Sequence, residues 1–292
     1  MTRTRADAPH RIRTPGPTTR ARVGRAARAT SGLPVTLALA VALTGCGALE
    51  GVVSPPAPPA PPAASPAAPE PAPAAPTVPT ADAVRSSGTP VDVEGATVLH
   101  VLAAGSAPAV RVEADGSEAV LILDAGDAAG VVDVVLAGPA GATLEPQDDG
   151  SVVVLAADGA FLGGAGRPLL GPGAAPARVT AEEGGAVHLQ GTGTITVRVA
   201  AHAVLDTDWG EREGGRSLAV EPSPWARTAG MAGEVGVWAE LVRAVPEADS
   251  PTMRDQLSCH VIGAPDKDTW NLEPWRPDVG LIMTLAASCN AT

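Results

Sequence analysis

Residues 109–137 read AVRVEADGSEAVLILDAGDAAGVVDVVLA. Three runs rich in Val, Ile and Leu stand out, AVRVE from Ala109, EAVLILD from Glu118 and VVDVVLA from Val131, and the first two are joined through Asp115-Gly116. Short runs of β-branched and aliphatic residues bounded by turn signals read as strands. An Asp-Gly pair supplies the positive-φ positions that a tight hairpin loop needs. The pattern continues outward as VDVE from Val91, TVLHVLA from Thr97, SVVVLAA from Ser151, AVHLQ from Ala186 and TITVRVA from Thr194, with further turn signals at Asp149-Gly150 and Asp158-Gly159. No helical period of adequate length intervenes, so the crossovers of a parallel sheet are missing. Residues 89–205 are expected to form an antiparallel β-rich domain, a small sandwich or meander.

The segments before this domain have other compositions. Eight arginines fall within residues 1–30, followed by the apolar run Leu33 to Leu43 and by Leu43-Thr44-Gly45-Cys46. A basic stretch followed by a short apolar one reads as a secretory leader. The run falls short of the roughly 20 residues that a membrane span requires. Leu43-Thr44-Gly45-Cys46 resembles the bacterial lipobox, which implies a signal peptide over 1–45, lipidation of Cys46 with thioether and palmitate chains, and a mature chain starting there. A secreted protein cut near Ala48, or a core helix, is the competing reading. The leader is long and has no adjacent arginines, so a twin-arginine route is not indicated; a translation start at Val23 rather than Met1 would give it ordinary length. Residues 54–80 carry twelve prolines and Glu70 as the only charge, a composition that builds no core. The segment 46–88 is therefore expected to be a lipidated N-terminus and disordered linker, reaching roughly 80 Å as polyproline II. The protein is expected outside the cytoplasm, anchored to the outer face of the cell membrane.

After Cys46 only 12 basic residues face 31 acidic ones, and Lys267 is the only lysine of the chain. Such a balance repels phosphate backbones, which excludes nucleic-acid binding and a polybasic membrane patch. Besides Cys46, the cysteines are Cys259 and Cys289. Behind a secretory leader this remaining pair reads as a disulfide, structural rather than redox-active because the CxxC spacing is absent. Two distant thiols are too few for zinc, and no motif for a metal or other cofactor is present.

Residues 206–292 hold all five tryptophans of a chain with one Phe and no Tyr. Leu218 and Val220 alternate within a strand over Arg216 to Glu221, stopped by a Pro222-Ser223-Pro224 turn. Val235, Trp238, Leu241, Val242 and Val245 recur at helical spacing before Pro246. Ser250-Pro251 then starts a second helix, with Met253, Leu257 and Val261 on one face and Gly263 at its end. SLAVEPSPWAR at 217–227, WAELVRAVPEADSPTMRDQLSCH at 238–260, WNLEPWRPDVG at 270–280 and the final Cys289-Asn290 resemble the C-terminal domain of actinobacterial secreted proteins catalogued as DUF2599. The resemblance implies an extracytoplasmic location and a paired Cys259 and Cys289; it implies no activity and no catalytic residues. The whole chain is thus expected to be α+β, an antiparallel β-rich domain followed by a small disulfide-stapled α+β domain.

No set of residues fixes a reaction. His260 has Asp255, Asp266 and Glu273 as possible partners, but no nucleophile stands in a recognisable setting, and a structural histidine is the simpler reading. Asp206, Asp208, Glu211 and Glu213 lack the EF-hand pattern and read as a solvated acidic turn. Trp270, Glu273, Trp275 and Arg276, framed by Pro274 and Pro277, combine flat rings with charged groups suited to sugar or peptide recognition. In a domain short of large side chains, at least one of these rings is expected in the core. The expected role is non-catalytic binding of a wall glycan, peptide or envelope protein. The rivals are a carboxylate-dependent hydrolase using Glu240 or Glu273 and a purely structural envelope protein.

Overall fold

The computed structural model describes residues 78–105 and 108–292; Cys46, the leader and the linker up to residue 77 lie outside them. Within the described residues the aliphatic runs become β1 (Thr89–Val93), β2 (Ala96–Ala103), β3 (Ala109–Asp115), β4 (Glu118–Asp124), β5 (Val131–Ala137), β7 (Val152–Leu155), β11 (Ala186–Thr192) and β12 (Thr194–Ala200). Asp115-Gly116, Asp149-Gly150 and Asp158-Gly159 each close a hairpin, with the glycines at φ 63°, 81° and 81°. Four further strands complete the sheets: β6 (Thr143–Pro146), β8 (Phe161–Ala165), β9 (Leu169–Leu170) and β10 (Arg178–Glu182). One sheet runs β1-β2-β5-β11-β10 and the other β3-β4-β12-β8-β7-β6, with β9 also on β12.

The two sheets pack face to face through Val91, Leu99, Leu121, Leu136, Val187 and Val197, among others. On β5, Val132, Val134 and Leu136 enter this core, while Val135 and Ala137 lie on the outer face beneath helix α1 (Ala81–Ser87). That helix falls inside the segment expected to be disordered linker. Thr80, the residue after Pro79 where the proline run ends, caps it by accepting the Ala83 N–H at 3.3 Å, so the proline-rich composition on which that expectation rested stops short of the helix.

Strand β7 is buried on both faces. Val152 and Val154 enter the sandwich, whereas Val153 points the other way and joins Ala200 and Ala203 in a second core with Leu218, Trp225, Leu257, Trp270 and Leu272. The β-rich segment and the C-terminal segment therefore share a core, and all described residues belong to one compact unit. Gly164 of β8 shows why: a Cβ there would meet the Trp225 ring at 2.7 Å, and the indole N–H donates to the Arg198 carbonyl at 3.1 Å. The glycines of FLGGA that hide β8 from a propensity reading are thus the ones that admit the tryptophan.

The C-terminal segment comprises β13 (Val204–Arg212), β14 (Gly215–Pro222), α2 (Pro224–Thr228), α3 (Met231–Ala244), α4 (Pro251–Gly263), β15 (Trp270–Leu272) and α5 (Leu281–Ala286). Its sheet runs β13-β14-β15, antiparallel throughout. Ser223 and Ser250 each cap a helix, accepting the N–H of Ala226 at 3.2 Å and of Met253 at 3.4 Å. What reads as a Pro222-Ser223-Pro224 turn is therefore the same Ser-Pro helix start as at residue 250. Asp206, Asp208 and Glu211, expected in an acidic turn, lie on β13, and the turn itself is at Glu213-Gly214.

Candidate functional site

The five tryptophans sort into two groups. Trp225 and Trp270 are fully buried. The Trp270 indole donates to the Ala264 carbonyl at 3.2 Å, and Arg227 lies 5.7 Å from its ring centre. Arg227 also donates to the carbonyls of Pro265 at 2.6 Å, Asp268 at 2.7 Å, and Lys267, tying the loop after α4 to α2. Trp209, Trp238 and Trp275 stay partly exposed, each covered by a guanidinium: Arg216 at 4.0 Å, Arg254 at 5.0 Å and Arg276 at 4.6 Å. At Trp209 and Trp238 the contact screens an apolar ring with a cation that keeps part of its own hydration, whereas Arg276 is itself buried beneath Trp275.

The group Trp270, Glu273, Trp275 and Arg276 is split by the fold. Trp270 is in the core, and Glu273 and Arg276 are buried at 4% and 3% exposure, leaving Trp275 at 43%. Arg276 is a hub. It donates to Glu273, to Glu213 at 2.7 Å, to the Asn290 side chain at 3.2 Å and to the Ala291 carbonyl at 3.1 Å. Burial opposes its charge, but the hydrogen bonds to Glu273 and Glu213 outweigh it and raise the pKa of the guanidinium above its ordinary value. The C-terminal residues, the β13–β14 turn and the loop after β15 are held by this one side chain. The Trp275 ring lies against Gly215, where a Cβ would meet it at 2.3 Å, so the hairpin accepts the indole only as glycine.

Gln256 holds the other side of this loop, because its side-chain amide pairs with the Glu273 backbone, donating to the carbonyl at 3.0 Å and accepting the N–H at 2.9 Å. Sequence reasoning passed over Gln256 and Arg227. A glutamine on the apolar face of a helix, one residue from Leu257, was the available signal for the first.

Cys259 and Cys289 are bonded, with Cα atoms 5.6 Å apart. His260 is buried beside them and donates through Nε2 to the Asn271 carbonyl at 3.1 Å, while Nδ1 has no partner among the described residues. None of Asp255, Asp266 or Glu273 bonds to it. Burial holds its pKa below the ordinary histidine value. A base with a depressed folded pKa is neutral in the native state and must be charged at a cost, so its contribution is complete above about pH 6.5 and is lost as pH falls below that value. Urea melts of the wild type from pH 7.5 to 5.5 should show a loss of up to about 1.4 kcal/mol per pH unit that His260→Gln lacks. Parallel pH curves for the two proteins would refute it.

Glu240, the other carboxylate considered for acid catalysis, accepts the backbone N–H of Ala203 at 2.9 Å and of Val204 at 2.7 Å, and faces His202 at 3.2 Å. It ties α3 to the start of β13. Among the described residues no group of three or more His, Cys, Asp or Glu is placed to hold a metal ion.

What remains exposed over residues 275–283 includes a set of apolar side chains, with Asp278 among them. Trp275, Val279, Ile282 and Met283 show 43%, 39%, 81% and 57% of their surface within one short stretch. The last two lie on α5, a helix of six residues with Thr284 as its only buried side chain. Six residues form no stable helix alone; this one is held by Thr284, whose hydroxyl donates to the Gly280 carbonyl at 3.0 Å, and by the disulfide that follows it.

The model of a family described as a protein of unknown function (DUF2599) matches residues 204–292. An uncharacterized protein of Mycobacterium tuberculosis strain H37Rv is 39% identical over 130 residues, which covers 42% of this chain and 85% of the relative. An uncharacterized protein of Mycobacterium bovis matches with the same figures. No solved structure matches significantly. Through this relative and the family model, which spans β13 to the C-terminus, the chain belongs to the DUF2599 family.

Proposed function

We propose that this protein is a non-catalytic binding module of the cell envelope, and that Trp275, Val279, Ile282 and Met283 form its contact face. The observation that carries this reading is the exposure of four apolar side chains on a segment locked by a disulfide, a buried arginine hub and two prolines. Exposed apolar surface is common, but a rigid strip with an aromatic, a thioether and branched aliphatics has the make-up of a protein-binding patch. Methionine and tryptophan adapt to and anchor apolar partners. The strip suits an apolar protein segment better than a glycan, since the second ring that would sandwich a sugar, Trp270, lies in the core. Glu273 and Glu240 spend hydrogen bonds on Arg276 and on backbone N–H groups, which favours binding over hydrolysis. Anchoring through lipid on Cys46 and a Pro/Ala spacer would hold the module away from the membrane; no helix of the described residues is long and apolar enough to cross one.

The test is retention of the purified protein on isolated envelopes, with and without protease treatment of the envelopes. Trp275→Ala combined with Ile282→Ser should weaken retention at least about tenfold, and protease treatment should abolish it. Equal retention by wild type and variant would sink the assignment of the face. Retention that survives protease would point to the glycan instead.

A further inference from the structure

We propose a second binding site, independent of the Trp275 face: the cleft between the sandwich and the helical layer, which takes a small apolar molecule bearing a neutral amide. The cleft has a volume of about 350 Å³, at the lower end of small-molecule sites. It exists only because the two segments share a core. Glu118 of β4, Arg198 of β12 and Gly166 come from the sandwich, and Pro224, Thr228 and Ala229 come from α2 and its end.

Its position follows from the strand pattern. On β12, Val197 and Val199 enter the sandwich core, so Arg198 points to the opposite face. The chain leaves the sheet between β8 and β9, where the Gly166 N–H donates to the Arg198 carbonyl at 2.8 Å. Leu169 resumes pairing with β12 at Thr196. The gap leaves room over Arg198, walled by Leu169, Pro224 and Ala229.

The polar end is built around an ion pair, and two of its atoms are open to solvent without a protein partner among the described residues. Glu118 is 4% exposed, and its Oε2 accepts from Arg198 Nε at 2.6 Å. Its Oε1 has no hydrogen-bond partner among the described residues, yet is not sealed from solvent, and the residue lines the cleft. Arg198 donates through Nη2 to Asp115 at 2.9 Å, and its Nη1 makes no hydrogen bond among the described residues. The hydrogen bond to Glu118, helped by the one to Asp115, outweighs burial and keeps the pKa of the Arg198 guanidinium above its ordinary value. Arg167, at the rim, faces Asp149 at 3.8 Å.

These charges select the ligand. An anion entering the cleft meets the Glu118 carboxylate, and a cation meets Arg198 and Arg167. A neutral amide satisfies both free groups, its N–H donating to Glu118 Oε1 and its carbonyl accepting from Arg198 Nη1. The alkyl body then lies against Leu169, Pro224 and Ala229. Each polar group left unpaired in such a site disfavours a ligand that lacks the matching half.

The experiment is an NMR titration of the full chain with hexanamide, beside hexanoate and hexylamine as charged analogues of similar size. Hexanamide should move the backbone amides of Gly166, Leu169 and Thr228 saturably, with half-saturation on the order of 1 mM for so small a ligand. Both charged analogues should bind at least about tenfold more weakly. Thr228→Phe, at an exposed position on the rim, should fill the cleft and abolish the shifts while leaving the rest of the spectrum in place. Leu169→Arg, also exposed, repeats the test if Thr228→Phe does not fold. Shifts that never saturate, or that persist in the cleft variants, overturn the site. Equal or tighter binding of hexanoate or hexylamine overturns the neutral-amide assignment.

Discussion

Replacing Arg276 by alanine is expected to lower the stability of the protein by about 3–5 kcal/mol, the range for removing one partner of a buried ion pair. The side chains of Arg276 and Glu273 are 1% and 5% exposed. Without the guanidinium, Glu273 keeps its place in the interior and loses its counter-charge. The Ala291 carbonyl and the Asn290 side chain lose their donor at the same time. The bond to Glu213 contributes far less, because that carboxylate is 65% exposed and water screens it, so Glu213→Gln should cost no more than about 1 kcal/mol. The double variant Arg276→Met with Glu273→Leu separates charge from packing: replacing a buried pair by apolar groups of similar volume is close to neutral, so most of the loss should be recovered. Urea unfolding followed by tryptophan fluorescence measures all three. An Arg276→Ala midpoint equal to that of the wild type would show that the hub carries no load.

Replacing Cys259 by serine is expected to cost about 3.5–4 kcal/mol, because the bond to Cys289 closes a loop with a sequence separation of 30 residues whose closure entropy the unfolded chain then regains. For a folded part of this size that is a fall in melting temperature of roughly 10 °C. The effect should be local as well. Helix α5 loses its tether to α4, and with it the rigid presentation of Ile282 and Met283, so binding through the Trp275 face should weaken even below the melting point. Wild type in reductant should melt like the variant. An unchanged melting curve for Cys259→Ser would mean that Thr284 and the Arg276 hub hold the C-terminus without the bond.

The strands of the sandwich were readable because their chemistry is local. EAVLILD and TITVRVA carry their own alternation, and the Asp-Gly pairs carry their own backbone preference. The strands that escaped, β6, β8, β9 and β10, are short, glycine-bearing or polar. They pair because a neighbouring strand offers an edge, and Gly163 and Gly164 of β8 make room for partners far away in sequence. The two helices with Ser-Pro starts differ in the same way. Ser250-Pro251 precedes a visible apolar period and reads as a helix, whereas Ser223-Pro224 precedes only five helical residues and reads as a turn.

From the residues alone follow the antiparallel character of the β-rich segment, the pairing of Cys259 with Cys289, the helices α3 and α4, and the family resemblance of the last part of the chain. These rest on spacing, turn chemistry and cysteine number, all of which are properties of neighbours in sequence. Only the tertiary structure decided that Val153 faces a second core, that Trp270 is sealed inside while Trp275 lies on the surface, and that Arg276 is a structural hub. It alone brought Glu118 and Arg198, 80 residues apart, to the end of a cleft whose other wall is α2. Which side of a ring meets water depends on what packs against the other side, and those partners come from distant stretches that no local pattern connects.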